Sequence, residues 1–168
     1  MQSRVRALGH PVHPMLIVFP LGLFVTGVIF DLIRWVGDNP TFGQVGYWNI
    51  AAGMIGAVAA AAAGLLDWTA IPTGSRAKRI GLLHGAGNGV VLLLFFLSWL
   101  VRMNNVDHVA GGGPLALELI AVVIAGVAAW MGGELVDRLG IGVDEHAHPD
   151  APSSLSGPAG RNDNAAPR

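Results

Sequence analysis

Three histidines and two carboxylates stand where apolar runs of this sequence begin or end, and they are the residues whose types could do chemistry. His10 and His13 lie in Gly9-His10-Pro11-Val12-His13-Pro14; Asp67 lies near the end of a second apolar run, His84 and Asn88 near the start of a third, and Glu134 near the end of a fourth. Imidazole binds haem iron, binds zinc or iron, or carries protons near neutral pH, and Asp and Glu either complete a metal site or relay protons. There are no cysteines. Disulfides, thiolate metal sites, cysteine-bound iron–sulfur clusters and covalent haem attachment are thereby excluded.

The elements that position these residues follow from composition. Of the 168 residues 52% are hydrophobic and only 12% charged, and the mean hydropathy is +0.55. Soluble domains carry about 25% charged residues. Four apolar runs cover 15–36, 50–71, 80–101 and 115–138. A run of this length reaches about 33 Å as a helix, enough to cross a hydrocarbon core of about 30 Å. The expected fold is all-α: an integral membrane up-down four-helix bundle over residues 1–142, followed by a disordered tail over 143–168 rich in Asp, Glu, His, Pro, Ser and Gly. Short connections with turn residues make successive helices antiparallel. The first run follows Arg4 and Arg6 like a signal peptide, but it is too long and lacks a small-residue cleavage site, so it reads as a retained anchor.

Basic residues set the orientation. Arg4, Arg6, Arg76, Lys78, Arg79 and Arg138 gather at one end of the bundle, whereas Arg34 and Arg102 flank the other. The positive-inside rule then places both termini in the cytoplasm, and the preference for Arg over Lys with heavy Ala and Gly usage suggests a bacterial genome and hence a bacterial inner membrane. Trp35, Trp48 and Trp99 mark one interface and Trp68 and Trp130 the other. The net charge of −1 gives no reason to expect nucleic acid as a partner, and the expected surroundings are the lipid bilayer.

With this topology His10, His13, Asp67, His84, Asn88 and Glu134 all lie toward the cytoplasmic side. Gly81, His84, Gly85 and Asn88 share one helix face, and Gly56, Ala60, Gly64 and Asp67 form a small-residue seam on the preceding helix. That spacing points Asp67 into the bundle, as the acceptor expected for His84. An ionisable residue at membrane depth is read by default as functional. Each alone also has a structural reading: His84 with Asp67 as a packing bond, or Glu134 with Arg138 as an i,i+4 pair. Asp31 and Arg34 read as an interfacial i,i+3 pair, Glu118 as a first-turn acid, His108 as a loop residue, and Asp144-Glu145-His146-Ala147-His148 as a weak metal-binding pattern in the tail. Pro20 implies a kink.

The motifs Gly9-His10-Pro11-Val12-His13-Pro14-Met15-Leu16, Phe19-Pro20-Leu21-Gly22, Gly64-Leu65-Leu66-Asp67-Trp68, His84 with Asn88, and Gly132-Gly133-Glu134-Leu135-Val136 with Gly140-Ile141-Gly142-Val143 resemble the domain of unknown function 2231 family of bacterial membrane proteins. The resemblance covers residues 8 to 143, and Asp137 departs from it where an aromatic residue is expected. It implies a place in membrane redox chemistry, through fusion to redox modules and a likeness to di-haem b-type cytochromes, and with it a redox partner protein.

Two functions of different class follow. In one, the bundle is a haem b or electron-transfer module: His13 and His84 supply axial imidazoles, Asn88 lies beside them, glycines of the third helix open a slot, and Arg76, Lys78 and Arg79 meet the propionates. In the other, His10, His13, Asp67, His84 and Glu134 bind zinc or iron, or relay protons. A structural subunit of a larger complex is the third reading. No nucleophile elbow, phosphate loop or dinucleotide fingerprint is present, so hydrolase and nucleotide-binding chemistry have no support.

Overall fold

Asn39 opens one long helix and Ser75 another, each by accepting a backbone N–H of the first turn: Thr41 N at 3.0 Å and Lys78 N at 3.0 Å. In the computed structural model, which describes residues 1–156, these are α2 (Pro40–Ala70) and α3 (Arg76–Arg102). They are flanked by α1 (Val12–Gly37) and α4 (Gly112–Gly133). Four helical segments are long and apolar enough to cross a membrane. All four expected spans are present. α2 starts ten residues earlier than its apolar run, because Pro40 fits the first helical turn and the polar stretch through Trp48 stays helical. The fourth helix changes pitch at its end, where Glu134–Arg138 form a π-helical turn.

Before α1 the chain forms a small hairpin, β1 (Arg6–Ala7) and β2 (His10–Pro11), paired antiparallel. Leu8 and Gly9 turn it with φ of 50° and 86°, the left-handed pair that a two-residue hairpin loop requires. Residues 143–156 make turns without regular helix or strand, and Ser154 Oγ donates to Leu8 O at 3.0 Å. The remainder of the expected tail, 157–168, lies outside the described residues.

α1 packs chiefly on α2, and α3 on α4, with lighter contact between α2 and α3 and between α1 and α4. The bundle is thus two helical hairpins side by side. Glycines let the first pair approach closely: a Cβ at Gly53 would stand 2.8 Å from the Phe24 ring, and one at Gly46 would stand 2.6 Å from Asp31 Oδ2. At the centre Phe24 and Phe95 stack with ring centres 4.1 Å apart and planes 6° from parallel, surrounded by Val28, Ile50, Val91 and Ala121. The outward side chains are apolar, including Ile55, Leu65, Leu83, Val123 and Val127, as a lipid-facing surface requires.

The two hairpins repeat one another. Asp31 and Arg102, separated by 71 residues, are bonded across the bundle; the same interval separates Phe24 from Phe95, which stack, and His13 from His84, which meet edge to face. The partner helices follow suit: His13 bonds the carbonyl of Ala60 and His84 that of Ala128, and one turn beyond each alanine a glycine, Gly64 or Gly132, lies against the ring. These contacts describe like hairpins related by an approximate two-fold axis along the bundle, the arrangement of parallel repeats.

Candidate functional site

His13 enters the bundle at the start of α1 and His84 two turns into α3, and the approximate axis brings them together. Their ring centres are 6.3 Å apart with planes at 84°. Each ring nitrogen Nδ1 lies 2.8 Å from a backbone carbonyl, of Ala60 for His13 and of Ala128 for His84. A carbonyl only accepts, so both Nδ1 atoms donate, and in the neutral rings Nε2 carries the lone pair that binds metals. Gly64 and Gly132 make room: a Cβ would stand 2.8 Å from His13 Nδ1 and 3.2 Å from His84 Cε1. Asn88, one turn after His84, donates to His84 O at 2.9 Å and reaches His84 Nε2 at 3.3 Å.

The other expected site residues are engaged elsewhere. Asp67 does not bond His84. Its carboxylate accepts from Ser3 Oγ at 2.6 Å, Arg4 N at 2.7 Å and Val5 N at 3.2 Å, so it anchors the N-terminal segment to the end of α2. Successive backbone N–H groups and a hydroxyl satisfy a carboxylate at the membrane surface better than a histidine already committed to a carbonyl. Met1 N donates to Gly140 O and Gly142 N donates to Met1 O, which ties the same segment to the far end of the other hairpin. Glu134 accepts from Arg76 at 2.5 Å rather than from Arg138, because the π-helical turn shifts the i,i+4 geometry. His10 sits exposed on β2, with Nε2 3.2 Å from Ser154 Oγ. Among the described residues no three His, Asp or Glu side chains converge as a metal cage. The set His10, His13, Asp67, His84 and Glu134 is therefore not gathered at one point; the pair His13 and His84 is. Of the basic residues at this end, Lys78 donates to Trp68 O at 2.7 Å and lies over the Trp68 ring, while Arg79 is exposed.

A second polar cluster, at the opposite end, has no counterpart in the expectations. Asp31 does not pair with Arg34 but with Arg102, through Nη1 to Oδ2 at 2.9 Å and Nη2 to Oδ1 at 2.8 Å. Arg34 turns outward to Asp38 at 3.3 Å. Glu118 is not a first-turn acid, since α4 begins at Gly112; it is 0% exposed and accepts from Arg102 Nη1 at 2.8 Å and Ser98 Oγ at 2.5 Å. His108 is more than a loop residue, since its carbonyl accepts from Arg102 Nε at 2.8 Å and its ring stacks on Tyr47 with centres 4.2 Å apart. The signal that reveals this cluster in the sequence is the common interval between the two hairpins, which puts Arg102 opposite Asp31 once the two histidines are superposed.

Residues 9–145 match the family described as "Predicted membrane protein (DUF2231)". The chain belongs to this family. No curated protein and no solved structure matches it.

Proposed function

We propose that this member of the DUF2231 family is a membrane electron-transfer module in which His13 and His84 would hold a haem b between the two hairpins. The observation that carries the reading is the histidine pair, on two parallel helices of the repeat, with both Nδ1 atoms fixed on carbonyls. The ring centres lie 6.3 Å apart, close enough for both Nε2 atoms to serve one bound group, which would be held by His13 and His84 together.

Haem at this position would supply a one-electron carrier. The protein's part is to hold two imidazoles in the ligating tautomer, the Nδ1–H to carbonyl bonds making each Nε2 more basic. Asn88 screens His84 Nε2 and can keep its bond to His84 O when Nε2 is taken. Asp67 and Glu134 are bonded to other partners, so neither of these two carboxylates is left unpaired beside a macrocycle. Arg79 is one of the exposed cations at this end that would suit a propionate. A separate redox protein would deliver or accept the electron.

The orientation belongs to the same proposal: both termini in the cytoplasm of a bacterial inner membrane. Because Arg102 is 0% exposed and serves the interior, Arg34 is the arginine of that pair left to mark the far surface, and the charge bias deepens. Reporter fusions after Arg168 test this, with activity from a periplasmic reporter overturning it. For the haem, protein purified in detergent and loaded with haem b is read by reduced-minus-oxidised absorbance. His13→Ala and His84→Ala should each abolish the bis-imidazole spectrum without preventing membrane insertion. A wild-type protein that takes up no haem, or variants that keep the wild-type spectrum, would sink the proposal.

A further inference from the structure

Arg102 is saturated. Its guanidinium presents five N–H donors, and they meet Asp31 Oδ1, Asp31 Oδ2, Glu118 Oε1, Gly43 O and His108 O. Two carboxyl groups therefore share one positive charge, with every side chain of the trio 0% exposed. With both ionised the site would carry a net negative charge inside a membrane, a state that burial strongly opposes. The remaining atom shows where the imbalance sits. Glu118 Oε2 is buried and has no hydrogen-bond partner, whereas both oxygens of Asp31 are bonded.

We propose that Asp31, Arg102 and Glu118 form a proton-binding site in which the Glu118 carboxyl holds one proton and exchanges it with water on the side of the membrane that bears the α3–α4 turn. A metal cation is the poorer occupant: both Asp31 oxygens are taken by the guanidinium, and that positive group lies 2.8 Å from Glu118 Oε1, where a hard cation would need a shell of six or so free oxygens. Protonation neutralises the second carboxyl and leaves Arg102 paired with Asp31. Release gives the proton to water and leaves a Glu118 carboxylate still bonded at Oε1 by Arg102 and Ser98.

The surrounding groups agree with this balance. On α1, Arg34 is committed to the exposed Asp38. On α2, Tyr47 lies under Arg102, with the guanidinium carbon 5.7 Å from its ring centre. In the turn, Asp107 is held by Gln44 at 2.9 Å, and His108 Nδ1 is 3.1 Å from Arg102 O. Asp107 and His108 belong to the segment that lies between the cluster and water, so exchange would occur at this end, away from the histidine pair.

Infrared difference spectroscopy of the full-length protein in lipid nanodiscs tests the site without any cofactor. At neutral pH the wild type should show a protonated-carboxyl C=O stretch that shifts in D2O. Glu118→Gln, which keeps an oxygen for Arg102 and Ser98, should remove the band. Asp31→Asn should remove it too, because Glu118 would then be the single anion facing Arg102. Asp67→Asn and Glu134→Gln should leave it in place. Absence of the band in the wild type, its persistence in Glu118→Gln, or its failure to shift in D2O would each overturn the proposal. Helical circular dichroism on every variant separates loss of the band from loss of the fold.

Discussion

Asp31 and Arg102 form a two-pronged ion pair at 2.8 and 2.9 Å with neither side chain exposed, and they occupy equivalent positions in the two hairpins. The same equivalence stacks Phe24 on Phe95 and sets His13 against His84. Going along the axis, the bundle presents an imidazole pair, then an aromatic pair, then an ion pair. The first two join like residues. The third joins opposite charges, so the repeat is asymmetric at a level where both side chains are fully buried, and this asymmetry lets an acid and a base neutralise each other without a second buried pair.

Arg102 should therefore be the least replaceable residue at its end of the bundle. Arg102→Gln would strand the Asp31 carboxylate without its counter-charge and leave Glu118 without its guanidinium donor, at a cost of about 3–5 kcal/mol. Equilibrium unfolding of wild type and variant in the same detergent measures this. A difference below about 1 kcal/mol, the range of an exposed pair, would show that the ion pair does not hold the hairpins together.

Gly46 should be intolerant of a single methyl group. The added Cβ would lie 2.6 Å from Asp31 Oδ2 and 2.8 Å from its carboxyl carbon, so the ion pair or α2 must move. Overpacking of this kind costs about 1–3 kcal/mol. Gly22, where nothing lies within 4 Å, is the control: Gly22→Ala should be neutral or stabilising, as alanine is the better helix former by about 1 kcal/mol. Equal melting temperatures for the two variants would contradict the close α1–α2 packing.

Much of this architecture is legible in the sequence because lipid imposes simple rules. Uninterrupted apolar runs fix the helices, and short turns fix their antiparallel order. His13 and His84 were also readable as neighbours, since both lie near the same end of helices running the same way. Long-range polar pairing was not readable in the same manner. Asp31 has Arg34 one turn away, and local spacing favours that pair until the repeat is recognised. Asp67 reads as part of a helix face from its spacing alone, yet its partners include backbone N–H groups of Arg4 and Val5, which carry no side-chain signature. Glu118 resembles an ordinary first-turn acid because nothing local marks the bend of chain that buries it.

Asp67 should act on the N-terminal segment and not on the histidine pair. In Asp67→Ala the amides of Arg4 and Val5 lose their acceptor, and the hydroxyl of Ser3 with them. Hydrogen exchange of peptides covering residues 1–11 should then speed up by tenfold or more, about 1.4 kcal/mol of lost protection. The haem spectrum, if haem is bound as proposed, should be unchanged. Unaltered exchange in this peptide, or a lost spectrum, would return Asp67 to the histidine site.

Gly64 and Gly132 give the most direct separation of site from scaffold. A methyl group at Gly64 would meet His13 Nδ1 at 2.8 Å, and one at Gly132 would meet His84 Cε1 at 3.2 Å, while neither is near the Phe24–Phe95 stack or the Asp31–Arg102 pair. Each substitution should turn or push its ring and break the Nδ1 bond to the Ala60 or Ala128 carbonyl. The bundle itself is held by contacts elsewhere and should persist. Gly64→Ala, with the shorter approach, should weaken haem binding by at least tenfold, about 1.4 kcal/mol, and Gly132→Ala by less, because a few tenths of an ångström of movement relieves its contact. Titration of the detergent-solubilised variants with haem b, alongside circular dichroism, measures both effects. Wild-type affinity in Gly64→Ala would mean that His13 does not need its carbonyl anchor to bind, and the structural basis of the proposed ligand pair would fall.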